Sequence, residues 1–118
     1  MEIKTHHLKN TEIAEIISDE MLIQSAEDGL DLLGNIYYQG FDKVAIYERN
    51  ITPEFFDLKN KLAGEILQKF SNYRVRLAII GDFDKFESKS VKDFIFESNK
   101  TKHINFVGNL AEALEKLV

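Results

Sequence analysis

The first 18 residues hold two segments of strand length, Ile3 to Leu8 and Glu12 to Ser18, the second with Ile13, Glu15 and Ile17 at alternate positions. Between them stands Lys9-Asn10-Thr11, and Asn10 takes positive φ at little cost, so the pattern predicts an N-terminal β-hairpin. A Ser18-Asp19-Glu20 turn and apolar Met21-Leu22-Ile23 follow. Ser25 with Asp28 three residues on resembles a capping box, and Leu30, Leu33 and Tyr37 recur at helical spacing until Gly40 ends the helix. Lys43 to Tyr47 is a short apolar run of strand length. Thr52-Pro53 then starts a long helix expected to reach Phe70, with Phe55, Leu58, Leu62, Ile66 and Phe70 on one stripe.

Arg74 to Ile80 contains Leu77-Ala78-Ile79-Ile80, apolar without alternation, as in a strand covered on both faces, and is placed at the sheet centre. A helix from about Ser90 to Asn99, a strand Ile104 to Val107 and a last helix opened by Asn109 and Glu112 complete the chain. Strands separated by helices need crossovers. The expected architecture is therefore α/β: a hairpin, then alternating α and β, in a mixed five-stranded sheet with flanking helices. With no linker, repeat or low-complexity tract, residues 1–118 read as one domain.

Composition narrows the function classes. There is no cysteine, which excludes disulfides and thiolate chemistry and favours a reducing compartment, hence the cytoplasm. The N-terminus lacks the apolar core of a signal peptide, and no stretch approaches the roughly 18 to 20 apolar residues of a membrane helix, so no membrane partner is expected. The formal net charge of −5 divides into −8 over residues 1–58 and +3 over residues 59–118. Lys85, Lys89, Lys92, Lys100 and Lys102 are interleaved with Asp84, Glu87, Asp93 and Glu97, so they read as a solvated helix and its flanks, and no nucleic-acid partner is expected.

Asn50 to Lys59, Leu62 to Phe70, Leu77 to Phe83, Asp93 to Asn99 and the Ala111-Glu112-Ala113-Leu114 tail together resemble the bacterial domain-of-unknown-function family 4180 over nearly the whole chain. The resemblance implies no activity. The element order, the strand ending in Gly81-Asp82 and the final Ala-Leu helix also look similar to SpoIIAA-like relatives of STAS domains, which implies a STAS-like fold and a binding or regulatory role. STAS regulators carry a phosphorylatable serine in an Asp-Ser-Ser/Ala-Gly-like turn. Here that place reads Glu48 to Pro53, where Thr52 is the one hydroxyl: a helix cap accounts for it, and phosphorylation is the rival role.

In open α/β sheets ligands bind beyond the carboxyl ends of parallel strands, which points to Glu48, Arg49, Asn50, Asp82 and Asp84 as candidate ligand-binding residues. The acids have no metal-loop spacing, His6 and His7 point to opposite faces of a strand, and His103 stands alone, so no metal site is expected. Phosphate loops and nucleophile elbows are absent, and neither catalytic residues nor a cofactor are assigned. The leading reading is a non-enzymatic binding or regulatory module. The alternative is a small enzyme or ligand-binding domain with an acidic cleft at those strand ends. Phe55-Phe56 and the Phe94/Phe96 pair cannot all face inward on one helical stripe, so part of this set, with Met21-Leu22-Ile23, is expected to cover a protein partner or a second copy in a homodimer.

Overall fold

A computed structural model describes all 118 residues. The hairpin forms as the pattern predicts: β1 (Glu2–Leu8) pairs antiparallel with β2 (Thr11–Ile17), and Leu8 faces Thr11 across a two-residue turn. Lys9 and Asn10 both take positive φ, 48° and 62°, the twist that a tight hairpin needs. Helix α1 (Ala26–Tyr38) starts where Ser25 accepts a hydrogen bond from the Asp28 amide, while the Asp28 carboxylate accepts from the Gln24 amide. The remaining elements are β3 (Lys43–Tyr47), α2 (Leu62–Asn72), β4 (Arg76–Ile80), α3 (Lys89–Asn99), β5 (Ile104–Val107) and α4 (Leu110–Leu117).

The sheet is mixed, in the order β1-β2-β3-β4-β5, and every pair after the hairpin is parallel. β3, not β4, is therefore the central strand; β4 is interior too, which is why its apolar run looks the same. Helices α1, α2 and α3 pack on one face over a cluster of 21 buried residues, including Leu33, Ile46, Ile66, Leu77 and Phe106. On the other face α4 covers a cluster of seven, among them Ile13, Ala78 and Leu117.

The long helix expected from Thr52 does not form. Residues Pro53–Phe56 and Leu58–Asn60 are short 3-10 turns, Lys61 takes φ 64°, and α2 begins only at Leu62. Two short polar side chains compete with the helix for backbone partners: Asp57 accepts from the Lys59 amide, and Asn60 accepts from the Leu62 amide while donating to the Glu54 carbonyl. Leaving α geometry lets successive rings both turn inward. Phe55 is 1% and Phe56 6% exposed, and Phe56 lies 4.6 Å from the Phe86 ring centroid. The expected surplus thus shrinks, since Ile23 is buried, Leu22 packs on the large cluster and Phe94 does so in part. Phe96 stays 62% and Met21 41% exposed.

Candidate functional site

The residues expected to converge beyond β3 and β4 separate into two groups. Glu48, in the 3-10 turn after β3, reaches across Gly81 and pairs with Lys85 at 2.6 Å. A Cβ at residue 81 would lie 2.5 Å from the Glu48 carboxylate and 2.7 Å from its Cβ, so only glycine admits this crossing. Asp82 and Asp84 follow directly, with the Asp82 carboxylate accepting from the Asp84 amide at 3.3 Å. Both line a cleft of about 480 Å³ between α3 and the start of α4, with Phe83, Asn99 and Glu112 among its other walls.

Glu112 is an acid of this cleft that strand-end reasoning misses. Its carboxylate accepts from the Gly108 amide and from the Asn109 side chain, and the Asn109 side-chain oxygen accepts from the Glu112 amide at 2.9 Å, a reciprocal cap that starts α4. The Asn109/Glu112 spacing announces the cap; that it also walls a cleft follows only from where α4 sits. Asp82, Asp84 and Glu112 do not converge into a metal-holding cluster.

Arg49, Asn50 and Thr52 turn away from the cleft and hold the connection between β2 and α1. The Arg49 guanidinium lies 4.4 Å from the Tyr47 ring centroid and donates to the Ser18 carbonyl. Asn50 is fully buried: its side-chain amide donates to the carbonyls of Ser18 and Glu20, each at 2.8 Å, and its own backbone carbonyl accepts from the amides of Leu22 and Ile23. Ile51 forms a parallel bridge with Ile23, and the Thr52 amide donates to the Ile23 carbonyl. Thr52 is 7% exposed, and its hydroxyl accepts from the Glu54 amide at 3.4 Å, so it caps the 3-10 turn and not a long helix.

A family profile described as Domain of unknown function (DUF4180) matches residues 8–117. The chain belongs to this family. No curated protein matches it. Among solved structures, the crystal structure of a proposed anti-sigma factor antagonist from Thermotoga maritima is similar at a TM-score of 0.49 and 11% identity, covering 98% of this chain and 93% of that one.

This DUF4180 member also buries a polar network that its sequence conceals. Glu15 on β2 is 5% exposed, and its carboxylate lies 2.8 Å from His6 Nε2 on β1 and accepts from the Tyr47 hydroxyl of β3 at 2.6 Å. Burial pushes the Glu15 carboxyl up, but hydrogen bonds from Tyr47 and His6, with the charges of His6 and Lys4, outweigh it and hold the group below the ordinary carboxylate range. Burial and the adjoining Glu15 push the Tyr47 hydroxyl up to about 12. The one signal in the sequence is a glutamate set among Ile13, Ala14, Ile16 and Ile17. Its partners, nine and 32 residues away, depend on strand register.

Proposed function

We propose that this chain is a non-enzymatic binding module of the cytoplasm that engages a protein partner. The carrying observation is the exposure of three of its four tyrosines at the amino end of the sheet: Tyr37 is 55%, Tyr38 90% and Tyr73 49% exposed. Tyr37 and Tyr38 end α1 and Tyr73 follows α2, and the rings of Tyr37 and Tyr73 meet edge to face with centroids 5.6 Å apart. Tyrosine brings large contact area with little side-chain entropy to lose, which is why it is enriched where proteins bind one another. At the opposite end, the carboxylates of Glu48 and Glu112 are engaged in an ion pair and a helix cap, which supports a non-catalytic reading. A photo-crosslinking side chain at position 38 should give a discrete adduct in cells, while one at Glu115 on α4 should not; the same adducts from both positions would refute the surface.

A second reading rests on the cleft of about 480 Å³ walled by Gly81, Asp82, Asp84 and Glu112, with Glu48 lying against Gly81, as the site of a small ligand. Arg49 and Asn50 serve that site indirectly, by fixing the chain that carries Glu48. Self-association belongs with the first reading: Phe96 and Met21 are exposed, and the outer edge of β1 is unpaired. Light scattering should then give a mass above 13.6 kDa in the micromolar to millimolar range, and a constant 13.6 kDa particle rules it out.

A further inference from the structure

The amino end of the sheet holds a cavity of about 470 Å³ between the end of α2 and the turn before β5, lined by Ser71, Arg74, Val75, Arg76, Lys102 and His103. Four of the six carry basic side chains and none is acidic. Arg76 is held by carbonyl groups, donating to those of Lys102 at 2.7 Å, Leu117 at 3.4 Å and Lys116. Arg74 and Lys102 form no ion pair, and the His103 ring makes no hydrogen bond, although acidic residues outnumber Lys and Arg 20 to 15 in this chain. The negative end of α2 accounts for a cation directly after it. The carbonyls at the end of α4 account for Arg76, and Lys102 and His103 are brought to the same cavity from the turn before β5.

Arg74 itself stands in a left-handed conformation, φ 57°, closing α2. That position favours glycine, so a guanidinium is kept where the backbone would be more relaxed without any side chain. Ser71 and His103 also line a second cavity of about 430 Å³, whose apolar floor is formed by Leu67, Phe94 and Ile104 and whose one acid, Glu97, is paired with Lys100 at 3.2 Å. A cationic recess thus opens onto an apolar trough.

We infer that these joined cavities bind a small organic anion, a phosphate monoester carrying an apolar or aromatic body. The anionic head is neutralised by Arg74 and Lys102, with His103 as a further donor, and the body lies over Leu67, Phe94 and Ile104. The inference does not rest on the protein-partner reading: Tyr37, Tyr38 and Tyr73 line neither cavity, although Tyr73 directly precedes Arg74. Phenyl phosphate, inorganic phosphate and an acetylated Glu-Phe amide, titrated into labelled protein and followed by amide NMR shifts, test it. Phenyl phosphate should move the amides of Ser71, Arg74, His103 and Ile104, and bind at least about ten-fold more tightly than inorganic phosphate. Arg74→Gly relieves the strained backbone, so it should raise the melting temperature while weakening phenyl phosphate about ten-fold or more. Unmoved amides, or undiminished binding by Arg74→Gly, would overturn the site. Equal affinity for the two phosphates would overturn the apolar half, and tighter binding of the dipeptide than of phenyl phosphate would overturn the assignment to a phosphate monoester.

Discussion

The two faces of the sheet are covered in different ways. An α-helix with its side chains is about 10 Å wide and strands lie about 4.8 Å apart, so one helix covers roughly two strands. Three helices suffice for five strands, and the face beneath α1, α2 and α3 is apolar throughout, with Phe55, Phe56 and Phe94 gathered around the Phe106 ring. The eight-residue α4 reaches β3, β4 and β5, and its apolar cluster is a third as large. Over β1 and β2 no helix lies, and the sheet covers itself: His6, Tyr47 and Arg49 close over Glu15 with polar groups that satisfy one another. Helix coverage therefore decides where this chain uses apolar packing and where it uses a hydrogen-bonded network.

The sharpest way to break this contrast is at the thick face. Phe55→Ala should lose about 3 to 5 kcal/mol in chemical denaturation, because the 1% exposed ring leaves a cavity under three helices. Leu117→Ala beneath α4 should lose less, about 2 kcal/mol, since the last turn of a terminal helix can settle into the space. Equal losses would show the thin face to be as rigidly packed as the thick one.

The polar cover is tested next. Glu15→Ala leaves the Tyr47 hydroxyl and the His6 ring without their acceptor and should lose about 1 to 3 kcal/mol. The Glu15 carboxyl is held below its ordinary 4.5 in the folded chain, so its contribution is present above that pH and is lost as pH falls through the folded value. Glu15→Gln should accordingly flatten the acid limb of stability against pH. A limb that runs parallel to that of the unaltered protein would show that the network does not titrate with folding.

The smallest effect lies at the alkaline limb. The Tyr47 hydroxyl moves from 10.0 up to about 12 on folding, so its contribution is complete below pH 10 and is lost as pH rises toward 12. Tyr47→Phe should remove that decline, with absorbance of the tyrosinate as an independent check.

The same contrast explains what could be read from the amino-acid sequence. Where structure follows local rules it was legible: the Lys9-Asn10 turn, the Ser25 and Asn109 caps, and the apolar strands β3, β4 and β5. The segment 52–60 was not, because the stripe through Phe55 and Leu58 satisfies a helical period while Asp57 and Asn60 hydrogen-bond the backbone out of it. Of the candidate strand-end residues, Asp82 and Asp84 line one cleft and Glu48 lies against its wall at Gly81, as the strand ends lead one to expect of neighbouring loops. Asn50 was misplaced because burial of its amide depends on the path of the 18–23 segment. The basic recess was hidden by linear order: Lys102 reads as one of a lysine set balanced by acids, yet in space it joins Arg74 and Arg76.

The two margins of the sheet are finished differently. On β5 the Phe106 amide donates to the Asn99 side-chain oxygen at 2.7 Å, the Asn99 amide donates to the Phe106 carbonyl at 3.2 Å, and Ser98 donates to the Ile104 carbonyl, so α3 imitates a sixth strand. No side chain does this for β1. Strand addition therefore has one port. Any joining of copies through β1 would use up the open edge on both sides at once, so with β5 covered this sheet cannot polymerise into a fibre by edge-to-edge addition.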